Sequence, residues 1–600
     1  MRSTVRVANA SGYWGDDPTA LARQVRGGAV DYVTLDFLAE ITMVILQRQR
    51  ARDPNLGYAY DFVQMLAPVL PDVVAQGIRV VANAGGIHVA ACRDRLAEVC
   101  RQQGVTPALG IVSGDDLMPR LDELLAAGVP VANLDDGRPL REIRDRIVAA
   151  NAYLGAWPIA QALAAGADIV VTGRTTDAAL TLGPLVHELG WAWDDWNRLA
   201  AGTVAGHVLE CGAQTTGGNL TDWRKVNQLD VGYPIAEVAA DGTFVVTKHP
   251  GTGGRVSRAT VTEQLLYEIG DPAAYLTPDV AADFRALDVR AVGDDRVAVG
   301  GARGTPPPDS LKVTVVYREG WRAVGLALIS GPDAVAKAER LAEMLWHRVG
   351  AEFADQRAEL VGDRSCWGGA APDVEPNEGV FRAAVRDPDR KKVERFAHTM
   401  LGLALQAPPG LGVFGGRPEV QEAYAYWPAL VPRELVTPRI EVVRGESCVA
   451  RDLPPVPLAA TTAGPARPDA PLPTDGAPVG GPSTRVPLRR IAYARSGDKG
   501  DHANIGVAAR SPAAFAFLRR ALDAERVRRH FADRCAGPVE RYELPGLRAL
   551  NFVLRHALGG GGTLSLRADH QGKTLAQGLL LLELDVPESV LAATPADGEG

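Results

Sequence analysis

The first ~200 residues alternate short β-branched apolar runs with stretches of helical periodicity. This is the rhythm of repeated βα units, and hence of a parallel sheet. The pattern predicts strands at 5–8, 32–35, 78–83, 108–112, 129–133 and 169–172, with helices between them. Polar and glycine-rich residues follow these runs: Asn9-Ala10-Ser11-Gly12, Asn83-Ala84-Gly85-Gly86, Ser113-Gly114-Asp115-Asp116 and Thr172-Gly173-Arg174-Thr175-Thr176-Asp177. In parallel α/β sheets ligands bind at the carboxyl ends of strands, where loop amides and helix N-termini converge. That edge is therefore the expected substrate cleft, with Asn9, Gly12, Asn83, Gly85, Gly86, Arg174, Thr175 and Asp177 as binding candidates. Ordinary helix caps account for each loop taken singly. The strand pattern fits both an open doubly wound sheet and a decorated barrel; the open sheet is the expectation.

From 206 to about 450 the pattern becomes mixed α+β. Strands are expected at 244–247, 289–292, 311–317 and 321–330, a hairpin at Arg318-Glu319-Gly320, and a helix within 332–349. Residues 453–484 are dense in Pro, Ala and Gly with almost no large apolar residues, and read as an extended linker. A small α+β domain follows at 485–586. It is expected to carry strands at 491–494 and 505–508, a helix at 512–531, a strand at 539–543, a helix at 549–557, and strands at 563–567 and 576–583. Residues 587–600 read as a flexible tail. The domain division is thus 1–205, 206–452, linker 453–484, 485–586 and tail.

The chain has 600 residues, more than one core usually holds, and 46% apolar and 23% charged residues are ordinary for a globular protein. A net charge of −8 with scattered basic residues argues against nucleic-acid binding. Arg390 to Lys392 reads as a solvated helix start. Six cysteines without a Cys-x-x-Cys pair are too sparse for a disulfide scaffold. Neither a signal peptide nor a membrane span is predicted, so a cytoplasmic location is expected.

Chemistry concentrates in two blocks. Arg495-Ser496-Gly497-Asp498-Lys499-Gly500-Asp501-His502-Ala503-Asn504-Ile505-Gly506 sets two carboxylates, an ammonium, an imidazole and a carboxamide among glycines between two apolar runs. Such a loop is suited to holding a polar group, and the competing reading is a charged surface turn. The second block is Gly206-His207-Val208-Leu209-Glu210-Cys211-Gly212-Ala213-Gln214-Thr215-Thr216-Gly217-Gly218-Asn219, followed by Thr247-Lys248-His249-Pro250-Gly251-Thr252-Gly253-Gly254. Here Glu210 can serve as a base and Lys248 as an electrostatic clamp beside a carboxylate or thioester, with Gln214, Thr215, Gly217, Gly218, Gly253 and Gly254 forming the cradle. A Glu210–Lys248 ion pair joining two loops, with Cys211 a buried small residue, is the alternative. The catalytic candidates are Glu210, Lys248, Asp498 and Lys499; Asp501 and Asn504 complete the binding set. The loop 498–504 is expected to face the large domain and form one composite site with Glu210, Gln214 and Lys248.

His88 and Cys92 have i, i+4 spacing, and Asp498 with Asp501 can chelate magnesium, but no zinc signature is present. No metal ligand set is assigned and no cofactor is predicted; a divalent metal is left open. Nucleophile-elbow, P-loop and dinucleotide fingerprints are absent. Trp14, Trp157 and Trp223 can line an apolar pocket or pack in the core.

These two blocks, with Tyr233-Pro234-Ile235-Ala236-Glu237 and Ala259-Thr260-Val261-Thr262-Glu263-Gln264-Leu265-Leu266-Tyr267-Glu268-Ile269-Gly270-Asp271-Pro272, resemble the acyclic terpene utilisation AtuA family over nearly the whole chain. The resemblance implies a ferredoxin-like small domain and a catabolic role on terpene-derived or related branched acids through acyl-CoA intermediates. The expected activity is proton transfer by a hydratase, lyase or isomerase on a small organic acid or acyl-CoA. The alternative is a noncatalytic partner or scaffold for an acyl-CoA carboxylase or hydratase. A homo-oligomer is among the expectations.

Overall fold

The computed structural model describes residues 2–456 and 481–594. Most of the expected linker and the end of the tail lie outside the described residues. The large domain is organised on an open eleven-stranded sheet. Its centre is parallel, in the spatial order Thr4–Asn9, Tyr32–Leu35, Arg79–Ala82, Ile169–Thr172, Leu109–Ser113. These strands are apolar on both faces because helices and loops cover both. Alternate residues divide between two cores: Val5, Val7, Val81 and Val170 enter one, while Val33, Val80, Ile169 and Val171 enter the other.

Antiparallel strands extend the sheet on both sides. Pro234–Ala239, Phe244–Lys248, Arg296–Gly300 and Asp288–Gly293 add to Thr4–Asn9, and Arg439–Arg444 with Ser447–Asp452 adds to Leu109–Ser113. The sheet therefore runs across residue 205. Residues 129–133, expected to be a strand, are irregular, and the strand at this point of the chain is Ile147–Ala152. It joins a second sheet.

That second sheet is built on one 21-residue strand, Ser310–Ser330, where a hairpin was expected. Its first half pairs with Gln421–Pro432 and its second half with Glu378–Asp387. The register with Gln421–Pro432 shifts between Arg318 and Trp321. Gly320, at φ +88°, makes this a bulge that bends the strand without reversing it.

In the small domain the sheet order is Ala492–Lys499, His502–Ala509, Ala549–Leu554, Val539–Leu544, all antiparallel. Several expectations are corrected. The polar loop is mostly strand, with only Gly500-Asp501 in the turn. The helix expected at 512–531 is two, Pro512–Ala521 and Ala524–His530, because Asp523 caps the second through its carboxylate. Residues 549–554 are strand and not helix, 563–567 hold no strand, and Leu575–Leu579 is a helix preceding strand Glu583–Pro587. Beyond Pro587 the chain is packed up to Thr594: Glu588–Ala592 is helical, Val590 is buried, and the Thr594 hydroxyl bonds Ser511 at 2.6 Å.

Period-two alternation decides how the domains dock. Ala492 and Ala494 point into the small domain's own core, while Tyr493 enters the main core of the large domain together with Ala508, Leu544, Leu547 and Ala549. Polar bonds fasten the same interface. Arg510 grips Asp222 with two bonds of 2.6 and 2.7 Å, and Thr221 donates to the Ala494 carbonyl at 3.0 Å.

Candidate functional site

The hairpin Ala492–Lys499/His502–Ala509 reaches into the carboxyl edge of the large domain's sheet. Gly497 lies so close to the loop after helix Arg258–Leu265 that a Cβ there would meet Glu268 Cγ at 2.6 Å. Two residues further, on the same face, Lys499 enters a recess. It is solvent-accessible, yet its amine lies among Glu268, Lys312, Glu210 and Glu40, and burial pushes its pKa down. Together these describe a wet pocket walled by protein. Among the described residues the Lys499 side chain has no hydrogen bond or ion pair; its Nζ stands 5.9 Å from the centre of the Tyr275 ring.

Glu210 follows helix Trp196–Leu209 and accepts or donates a 2.8 Å bond with His207 Nδ1. Burial, reinforced by the charges of Asp177 and Glu268, raises its pKa well above the usual carboxylate value, which favours the neutral acid. Burial, with Lys499 adding to it, lowers His207 to about 4, so the imidazole is neutral too. Glu210 Oε2 and His207 Nε2 are buried without a hydrogen-bond partner among the described residues. Cys211 stays a thiol, since burial raises it strongly.

Charged pairs line the rest of the recess. Lys573 bonds Glu268 at 2.6 Å, Asp498 at 2.8 Å and the Tyr267 hydroxyl. Burial works against the Glu268 carboxylate, but Lys573 and Lys499 outweigh it and keep it ionised; Asp498 is raised to about 6 by burial and by Glu268. On the large-domain side Lys312 bonds Glu40 at 3.0 Å, and Tyr153 donates to Glu40 at 2.8 Å. Arg174 bonds Asp177 at 2.9 Å and the Leu38 carbonyl at 2.9 Å, with its guanidinium 4.1 Å from the Tyr153 ring centre. Burial and the charge of Asp177 raise the pKa of Asp36, and Asn83 donates to it at 2.6 Å. A cleft of about 590 Å³ abuts this cluster, with Gln214, Asn219, Trp223 and Arg495 on its walls and Tyr267 and Lys573 at its inner end.

Of the residues singled out in the sequence, Arg174, Asp177, Glu210, Asp498 and Lys499 meet in the recess, Asn83 supports it through Asp36, and Gln214 lines the cleft. Asn504 lies behind it: it donates to the Leu266 carbonyl at 2.8 Å and accepts from the Glu268 amide at 3.0 Å. The others hold loops. Lys248 bonds Asp295 at 3.0 Å and the Thr252 carbonyl at 2.9 Å, and among the described residues no bond joins it to Glu210 or Lys499. Neither the clamp nor the Glu210–Lys248 ion pair is present, because Lys248 leaves its strand beside the turn that carries Asp295. Asn9 closes its own turn with Ser11, and Gly12 abuts the Cys211 backbone. Gly85 bonds the Thr172 carbonyl, Gly86 the Asn83 carbonyl, and the Thr175 and Thr215 hydroxyls go to the carbonyls of Leu154 and Val208. Gly217, Gly218, Gly253 and Gly254 knit the loops around 213–218, 227–232 and 253–255. Asp501 bonds His556 at 3.0 Å and the Gly560 amide at 2.6 Å.

Asp36, Glu40, Tyr153, Glu268, Tyr275, Lys312 and Lys573 were not anticipated. Asp36 carried a signal, since it follows an expected strand just as Asn9 does. Among the described residues no three His, Cys, Asp or Glu side chains are grouped to hold a metal ion; His88 bonds the Leu56 carbonyl instead. Nor is any helix among them long and apolar enough to cross a membrane. Trp14 packs on Tyr60 and Trp157 on Trp193, so of the three tryptophans Trp223 alone faces the cleft.

No curated protein and no solved structure matches the chain. The family model for acyclic terpene utilisation family protein AtuA matches residues 5–442, and that for the AtuA ferredoxin-like domain matches 486–585. The recess lies where these two matched regions meet. The chain therefore belongs to the acyclic terpene utilisation AtuA family, with the family's ferredoxin-like domain at its C-terminal end.

Proposed function

We propose that the interdomain recess is the active site of a hydratase, lyase or isomerase acting on a small organic acid or its acyl-CoA thioester, within the utilisation of acyclic terpenes that the family implies. One observation carries this reading: Glu210, a carboxylic acid whose pKa burial raises, shares a water-accessible recess with Lys499, an amine that has no side-chain partner among the described residues. Groups whose environments push their pKa values toward the working range are suited to hand protons to and from a substrate. Glu210 delivers a proton to a substrate oxygen or carbon. Lys499 receives one, or as an ammonium holds a developing enolate. The reaction needs no redox cofactor in this scheme, and the protein works in the cytoplasm.

The test is depletion of branched unsaturated acids and their thioesters, and deuterium uptake by their saturated counterparts from heavy water, without added nicotinamide. Both should occur with the wild type and be lost in Glu210→Gln. No depletion, exchange or binding across the panel would refute the reading. A docking role for the small domain is less well supported, since its strand 492–499 packs against the large domain and supplies Asp498 and Lys499 to the recess.

A further inference from the structure

We propose that Lys499 is a nucleophile that forms an imine with a small ketone or aldehyde bound in the recess. The inference rests on the proposed site of proton transfer and deepens it by naming the substrate's reacting group.

Three of the recess's four cations have partners. Lys573 has Glu268, Asp498 and Tyr267; Lys312 has Glu40; Arg174 has Asp177. Lys499 has none among the described residues, although carboxylates surround it. The reason is geometric. The amine is carried at the end of a hairpin strand whose path is fixed by Gly497 against Glu268 and by Asn504 against the backbone of Leu266 and Glu268. An ammonium that served only to balance charge would be expected to join one of those carboxylates. An accessible amine held off them, with its proton affinity reduced by burial, is instead a nucleophile.

Imine formation also needs a proton donor. The amine's lone pair attacks the carbonyl carbon, a C–N bond forms, and the π pair moves to oxygen, which takes the proton of the Glu210 carboxyl. The nitrogen returns its proton to Glu210. The C–O bond then breaks, the hydroxyl leaving as water with that same proton while the nitrogen lone pair forms C=N. Amine, carbonyl compound and the Glu210 acid give protonated imine, water and the Glu210 carboxylate, and an acid sharing the recess with an unpartnered amine is the pairing this sequence requires. The iminium acidifies the adjacent C–H, which connects the step to the proton transfer proposed above.

The probes are pyruvate and acetoacetate with sodium cyanoborohydride at neutral pH, on the full-length protein, with adducts located by peptide mass spectrometry. Lys499 should be modified by at least one probe severalfold faster than exposed Lys391. Glu210→Gln should slow that modification while leaving the rate at Lys391 unchanged. Equal rates at Lys499 and Lys391 with both probes would overturn the proposal. Deuterium exchange that survives in a folded Lys499→Arg variant would overturn it too, while leaving the proton-transfer reading intact. A Lys499 adduct without any exchange or turnover would have the opposite meaning.

Discussion

Asn504 in the small domain accepts a 3.0 Å hydrogen bond from the backbone amide of Glu268 in the large domain, so the residue that places one carboxylate of the recess belongs to the other body. Its carboxamide also donates to the Leu266 carbonyl at 2.8 Å and to Asn551 Oδ1 at 3.0 Å, and Asn551 in turn donates to the carbonyls of Ile269 and Gly270. Asn504→Leu, nearly isosteric, leaves a buried carbonyl, an amide N–H and a side-chain oxygen unpaired. The expected loss is about 2 kcal/mol or more of unfolding free energy in urea. Turnover should fall as well, because Glu268 and Lys573 lose their anchor. A variant as stable as the wild type would show that solvent replaces these bonds and that the interface is looser than described.

Glu210→Gln should separate chemistry from folding. The raised pKa of Glu210 means that the folded state holds its proton more tightly than the unfolded chain, whose value is near 4.5. Its contribution to stability is therefore complete below that pH and is lost as pH rises toward the folded value. A neutral carboxamide cannot lose a proton. Urea midpoints measured from pH 4 upward should accordingly show Glu210→Gln gaining on the wild type as pH rises, while proton exchange into substrate is abolished throughout. A difference that shrinks with pH would mean that Glu210 is ionised in the folded protein.

Lys248→Met tests the boundary of the site. The ammonium joins Asp295 and the Thr252 carbonyl and has no bond to the recess among the described residues. Asp295 is partly exposed, so solvent compensates its loss. The expected outcome is about 1 kcal/mol of destabilisation with kcat and KM unchanged. A large fall in kcat at normal stability would return Lys248 to the active site.

Much of the large domain could be read from the chain because its parallel strands are largely apolar on both faces: 32–35 stands out as a run rich in strand-forming residues and 169–172 as a continuous β-branched run, and they are strands at those residues. The outer parts of hairpin 492–509 were expected as strands, but its polar middle, 495–504, was hidden by the same rule in reverse. Arg495 and Lys499 face the large domain while Ser496 and Asp498 face the small one, so both sides of the strand are polar and it reads as a loop. Residues 549–554 are a short apolar run, for which periodicity alone cannot choose between helix and strand. Glu210 and Lys499 were legible as polar residues among glycines. Glu40, Lys312 and Lys573 were not, since they come from three distant elements: Glu40 and Lys312 meet within the folded large domain, and Lys573 joins them only through the docking of the small one.

Replacing Lys499 should run against the usual expectation that mutation destabilises. Burial lowers its pKa, so between the folded value and about 10.5 the unfolded chain binds more protons than the native one. Below that window the native state carries the full cost of a charge held in the recess; as pH rises through it, the cost diminishes. Lys499→Met removes the amine and keeps much of the apolar stem. Its urea midpoint at neutral pH should therefore exceed that of the wild type, and the advantage should shrink as pH is raised toward 10, while activity is lost at every pH. Such an exchange of stability for function is expected where a site holds a group in an unfavourable setting. A variant less stable than the wild type at neutral pH would show that the Lys499 ammonium stabilises the carboxylates around it, and that its lack of a partner has no bearing on catalysis.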